Sequence, residues 1–119
     1  MRTSITLPIA TYQCSVVIII TDDLHKEGKR IYKKHDLGEY DEGEAEAMVI
    51  RAEMHTYYLV VDKQHLTHNT LAHECYHIVR DIKTDRDITD DEAGAWLMGH
   101  IQEYLYKFLH KKKLAVRHG

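Results

Sequence analysis

The sequence predicts a single α+β domain over residues 1–119, and three features support that prediction. The β-branched run at 14–21 suits a strand that is buried on both faces, and strand-like runs follow at 47–52 and 56–62. Apolar residues then recur at helical spacing within 67–82 and again within 89–111. A set of strands followed by two long amphipathic helices indicates an α+β fold of modest core size.

Composition excludes several classes of protein. The 119 residues carry a net charge of −3 with histidine neutral, so no charge excess predicts a nucleic-acid or membrane partner. The longest apolar run, 14–20, is too short to span a bilayer. The two cysteines, Cys14 and Cys75, do not make a disulfide framework, which favours a reducing, cytoplasmic setting.

The first half of the chain supplies the smaller elements. Residues 3–12 are predicted to be extended, and Asp22 and Asp23 are good starting residues for a helix that ends near Lys34, although Gly28 interrupts it. The acidic, glycine-containing stretch 36–46 is predicted to be a solvated loop. The runs 47–52 and 56–62 are predicted to form a hairpin joined by 53–55.

The chemistry-bearing pattern is His73-Glu74-Cys75-Tyr76-His77, which is H-E-x-x-H. Thr67 is a good N-cap for a helix through this segment. Residues four apart share one helix face, so His73 and His77 can bind one zinc ion, and Glu74 can accept a proton from zinc-bound water. Cys75 lies on the opposite, apolar arc, and Tyr76 is predicted to pack. A surface helix with coincidental histidines remains the alternative.

A catalytic zinc ion usually has three protein ligands and one open position, so a third ligand is required. Glu92, near the start of the last helix, is the predicted third ligand. The same helix has an apolar stripe that includes Trp96 and Tyr104. The sequence 89–92 also fits a capping box in which Glu92 binds the Thr89 amide. Spacing alone leaves ligand and cap equally open.

The two motifs together resemble the gluzincin arrangement. His73-Glu74-Cys75-Tyr76-His77 followed by Glu92-Ala93-Gly94-Ala95-Trp96-Leu97 is similar to small phage- and prophage-type zincin-like proteins, and more distantly to the ImmA/IrrE metallopeptidases. The resemblance covers roughly residues 55–105. It implies a minimal zincin-like core in which a small sheet packs on both helices, with an edge strand for an extended peptide. It also implies zinc ligation by His73, His77 and Glu92, with Glu74 as general base.

The expected function is therefore zinc-dependent hydrolysis of a peptide or protein substrate. A zinc-binding protein without catalysis, or a metal-free interaction module, is the alternative. Rival ligands or donors are Asp81, His65, His68 and His100, each of which also suits a polar surface position. The donor for a transition-state oxyanion is left open among His100, Tyr104, Tyr57 and Tyr58. The substrate and the oligomeric state are not indicated.

Overall fold

The structure is a computed structural model that describes residues 1–53 and 55–119. It divides the chain into two units, residues 1–65 and residues 66–119. The first unit contains β1 (Arg2–Ile9), β2 (Cys14–Thr21), α1 (Leu24–Lys34), β3 (Ala47–Glu53) and β4 (Thr56–Asp62). The second unit contains α2 (His68–Asp85) and α3 (Asp91–Lys111). The α+β prediction is confirmed.

The four strands in the described residues form one mixed sheet in the order β1-β2-β4-β3. β2 pairs in parallel with β4, whereas β1 with β2 and β3 with β4 are antiparallel. The predicted hairpin of β3 and β4 is confirmed. Its predicted connection is 53–55, of which Met54 lies outside the described residues. The central strands are almost fully buried, as β-branched runs without polar alternation predict.

Helix α1 packs on one face of this sheet through Leu24 and Ile31, which join a cluster that includes Ile19, Tyr58 and Val60. The predicted start is confirmed, because the Asp23 side chain accepts a hydrogen bond from the Lys26 amide. The buried carboxylate of Glu27 lies between two cations: it accepts from Arg2 Nε at 2.9 Å and from Arg30 Nη2 at 3.1 Å. These contacts link β1 to α1 without leaving a buried charge unpaired.

In the second unit, α2 and α3 run antiparallel. His68 at the start of α2 contacts Tyr106 late in α3, and Lys83 at the end of α2 lies against Gly94 early in α3. Residue Arg117 pairs with the chain before α2: its amide donates to Leu66 O at 2.9 Å, and its carbonyl accepts from the His68 amide at 3.0 Å. None of the helices in the described residues combines the length and apolar character needed to cross a bilayer.

Four details of the predicted helices are wrong. The N-cap of α3 is Asp90 rather than Thr89, and its carboxylate accepts from the Glu92 amide at 3.1 Å. Trp96, assigned to the apolar stripe, is 48% exposed. Tyr76, predicted to pack, is 59% exposed because its position on α2 is turned away from the buried residues. Thr67 is the N-cap of α2, as predicted, and α2 continues three residues past the expected end at 82.

Gly28, predicted to interrupt α1, lies within the continuous helix and has a packing role. The ring of Tyr40, from the 36–46 loop, lies so close to Gly28 that a Cβ at this position would overlap the phenol. Tyr40 also contacts His25, whose Nδ1 is 2.9 Å from the Tyr40 hydroxyl, and Tyr32 at 5.2 Å between ring centroids. The absence of a side chain at Gly28 therefore allows the acidic loop to lie on α1.

We expect Gly28→Ala to destabilise the protein by about 1 kcal/mol, because displacing Tyr40 outweighs the gain in helix propensity from alanine. Limited digestion with a glutamate-specific protease should also cut the 36–46 loop faster. Gly99→Ala in α3 is the matched control, since nothing lies within 4 Å of its added Cβ. That variant should be stabilised by about 0.5–1 kcal/mol. Equal, positive shifts in both denaturation curves would contradict the role of Tyr40.

Candidate metal centre

The rotation of α2 places His73, Glu74 and His77 away from its buried stripe. Five residues at helical spacing are buried, namely Leu71, Cys75, Ile78, Val79 and Ile82. His73, by contrast, has 65% of its side chain exposed. The apolar and polar faces predicted from the sequence are confirmed, so the two histidines occupy an accessible face.

The two imidazoles face each other through the same type of atom. His73 Nε2 and His77 Nε2 are 3.0 Å apart, with ring centroids at 4.6 Å and an interplanar angle of 80°. Two nitrogens that are each ~2.0–2.1 Å from a tetrahedral zinc ion are roughly 3.3–3.4 Å apart. The pair therefore fits a shared metal with a movement of a few tenths of an ångström. The same distance also suits an N–H···N hydrogen bond between neutral rings.

Glu74 lies beside this pair rather than at its centre. Its Oε1 is 4.0 Å from His73 Nε2, and only 13% of its side chain is exposed. Burial raises the pKa of Glu74 above its ordinary value, while the nearby His77 and His73 oppose that change. The geometry thus places a partly desolvated carboxylate next to both imidazoles, where it can exchange a proton with a water molecule.

The second nitrogen of His77 is unusual. His77 Nδ1 is buried and has no hydrogen-bond partner among the described residues. A metal-binding histidine commonly donates this second N–H to a carbonyl or carboxylate, which fixes the tautomer and orients the ring. The orientation of His77 consequently depends on packing and on its contact with His73.

Glu92 does not join the pair. It is the second residue of α3 and is exposed. At about 100° per residue, it lies roughly 140–180° around α3 from the buried Gly94, Leu97 and Ile101. No group of three His, Cys, Asp or Glu side chains within 1–53 and 55–119 is arranged to hold a metal ion. The structure brings together His73, Glu74 and His77, but leaves the predicted third ligand apart.

The rival ligands have other contacts. Asp81 is 3.5 Å from Arg80 Nη2, and His65 Nδ1 is 3.6 Å from Glu46 Oε1. His68 Nδ1 lies 2.7 Å from the Tyr106 hydroxyl, and His100 stacks on Trp96 with centroids 4.7 Å apart. These contacts agree with the polar or surface roles that the sequence left open, and none adds a third donor to the His73–His77 pair.

Cys75 and the tyrosines are poorly placed for chemistry. Cys75 is fully buried on the far side of α2, and burial raises the pKa of its thiol to about 12. Tyr57 is fully buried, and the Tyr58 hydroxyl lies 2.8 Å from His35 Nε2, whose Nδ1 is 3.0 Å from Glu53 Oε1. The cysteine does not suit a closed structural zinc site, which usually uses thiolates.

A groove between α2 and α3 has no signal in the sequence. A surface cavity of about 540 Å³ lies between the two long helices. We call it the α2–α3 groove, and its walls include Tyr76, Val79 and Lys83 from α2 with Gly94, Ala95 and Met98 from α3. Its residues come from two helices and from the connection between them, which come together only after folding. A pattern read along one helix therefore could not reveal it.

We expect zinc to stabilise the wild-type chain and to have no such effect on His73→Ala. Zinc at about 100 times its dissociation constant raises the free energy of unfolding by about 2.7 kcal/mol when it binds only the folded state. His100→Ala is the control, because this ring stacks on Trp96. Thermal unfolding of tag-free protein, with and without zinc, measures the difference. An equal rise in wild type and His73→Ala would exclude the pair as the binding site.

No family model matches the chain, and no curated protein or solved structure matches it either. The assignment of a function therefore depends on the residues themselves. The most specific arrangement in the described residues is the pair of imidazole nitrogens of His73 and His77, with the Glu74 carboxylate beside them.

Proposed function

We propose that the chain is a zinc-dependent peptidase of the gluzincin type. The observation that supports this proposal most is the 3.0 Å approach of His73 Nε2 to His77 Nε2, with the Glu74 carboxylate next to them. His73 and His77 would hold the ion, and Glu92 is the proposed third ligand. Zinc supplies a Lewis acid that polarises the scissile carbonyl and makes a water molecule acidic near neutral pH.

Side chains of the chain itself would transfer the proton and orient the metal ligands. Glu74 accepts a proton from the attacking water and returns it to the leaving amine. Burial, which raises the pKa of Glu74, strengthens this carboxylate as a base. The ring of His77 is held in place by packing, because its Nδ1 has no hydrogen-bond partner in the described chain. Glu92 reaches the pair only if α3 or its own side chain moves, so substrate or metal binding would complete the centre.

A second candidate is a zinc-binding or protein-interaction module without catalysis. The position of Glu92 favours it, because this side chain is exposed and stands apart from the two histidines. Two imidazoles alone give a weaker and less defined zinc site than three ligands do. The two candidates differ in what happens when Glu74 or Glu92 is replaced.

Glu74→Gln should lower peptide hydrolysis by about 10²–10⁴-fold, because the amide cannot accept the proton from water. Zinc affinity should change little, since Glu74 is not a ligand in this proposal. Cleavage of a peptide library, read by mass spectrometry with a chelator control, measures the first quantity, and zinc titration measures the second. Glu103→Gln, which alters an exposed glutamate paired with Lys107, is the control. Unchanged cleavage by Glu74→Gln would reject the general-base role.

Glu92→Ala should weaken zinc binding by at least about tenfold, because even partners outside the ligand set often contribute 10–100-fold. Competition with a chromophoric chelator measures the affinity, and Glu103→Ala controls for loss of a carboxylate on the exposed side of α3. Unchanged affinity in Glu92→Ala would exclude Glu92 as a ligand. If the wild type then binds zinc but cleaves no peptide, the non-catalytic candidate replaces the peptidase.

A further inference from the structure

The α2–α3 groove has an apolar floor and a cation within it. Val79, Ala95 and Met98 supply apolar surface, and Tyr76 stands exposed at one end. The Tyr76 ring is 6.2 Å from that of His77, between centroids, so this end of the groove adjoins the histidine pair. The cavity, at about 540 Å³, is within the range of ligand-binding clefts.

Lys83 is the unusual residue of the groove. It is half-buried, and its side chain extends across Gly94 instead of into solvent. A Cβ at position 94 would lie 3.2 Å from Lys83 Nζ and 3.3 Å from Lys83 Cδ. Gly94 therefore gives the lysine room to lie against α3. A partly desolvated ammonium group gains from a carboxylate partner, and Lys83 forms no ion pair within the described part of the chain.

Of the other three charges that line the groove among the described residues, Arg80 and Asp91 are compensated in part, and Asp87 is an exposed carboxylate at the rim. Arg80 Nη2 lies 3.5 Å from the carboxylate of Asp81. Asp91 is in the first turn of α3, where the positive end of the helix stabilises an anion. Lys83 is thus left as the cation that an incoming anion meets inside the groove. Charge complementarity predicts a ligand with a carboxylate beside an apolar group.

The polar groups at the rim of the groove favour a peptide over a simple alkyl carboxylate as the ligand. The walls also include the Thr84 and Thr89 residues and the Asp87 carboxylate. Amide groups of an extended peptide can pair with these polar groups, whereas an alkyl chain would leave them without partners as it displaced water. A peptide segment therefore suits both the floor and the rim.

We propose that the α2–α3 groove binds a peptide segment in which an apolar residue is adjacent to an aspartate or glutamate. The apolar side chain occupies the floor formed by Val79 and Met98, and the carboxylate pairs with Lys83. The inference goes beyond the peptidase proposal, because binding here requires neither zinc nor hydrolysis. If the chain is a peptidase, the groove adds a preference for acidic residues near the cleaved bond.

Titration of the full chain, in the presence of a chelator, with end-blocked hexapeptides tests this proposal. The probes are Ala-Ala-X-Glu-Ala-Ala and the matched Ala-Ala-X-Gln-Ala-Ala, where X is Leu, Phe or Met. Amide chemical shifts report the binding site and the affinity. We expect shifts centred on Lys83, Gly94 and Ala95, with at least one glutamate peptide bound about fivefold tighter than its glutamine partner, which corresponds to about 1 kcal/mol for a partly exposed ion pair.

Variants separate the lysine from general effects on folding. Lys83→Met should abolish the glutamate preference while apolar binding persists, and Lys83→Arg should retain the preference. Lys107→Met is the matched control, because Lys107 is exposed and paired with Glu103 outside the groove. The chelator makes the result independent of the zinc proposal, so groove binding and peptidase activity can fail separately.

Several outcomes would overturn the inference. These are absence of shifts with every peptide, equal affinity for glutamate and glutamine peptides, shifts centred away from the groove, and a preference that survives Lys83→Met. Tighter binding of sodium decanoate than of any peptide would also overturn it, because the occupant would then be an alkyl carboxylate.

Discussion

The burial of one stripe of α2 is the constraint on which the candidate centre depends. Leu71, Cys75, Ile78 and Ile82 are buried to 1% exposure or less, so the helix has one favourable rotation. Because side chains follow the helical repeat, that rotation fixes the directions of His73, Glu74 and His77. A rotation by one residue, about 100°, would expose the apolar stripe. The energetics of a core thus determine where polar chemistry occurs.

The elements with strong local signals were predictable from the sequence. The β-branched residues of β2 and β4 indicated strands, and Asp23 and Thr67 indicated helix starts that the structure confirms. The order of the strands was not predictable, because β4 lies between β2 and β3 through pairings between distant segments. Local propensity contains no information about which buried strand is the neighbour of another.

Competition between neighbouring caps explains why the start of α3 was mispredicted. A capping box requires the glutamate to be the third residue after the cap. Asp90 takes the cap position in place of Thr89, and Glu92 is then the second residue and cannot form the box. The same shift sets the direction of its side chain on α3. Sequence reasoning identified Glu92 as one of two alternatives, and the structure realises neither the capping box nor a three-ligand cluster.

Helix ends show a second limit of local reasoning. Asp36, Asp87 and Lys113 adopt positive φ after α1, α2 and α3, a conformation for which glycine is the usual sequence signal. After α2, the Ile88 amide donates to Lys83 O at 2.8 Å, which closes the helix several residues beyond its apolar stripe. That closure also brings Ile88 to the α2–α3 groove. Without a glycine at this turn, the extent of α2 and the groove could not be anticipated.

The parallel pairing of β2 with β4 has a consequence during synthesis. Ser15 pairs with Thr56, which is far along the chain. One edge of β2 therefore has no strand beside it until β4 has left the ribosome. Until then the Val16–Ile20 segment exposes apolar side chains and unpaired backbone groups, the combination that promotes intermolecular β-association. The delay before β4 is synthesised therefore lengthens the time during which this segment can associate with other chains.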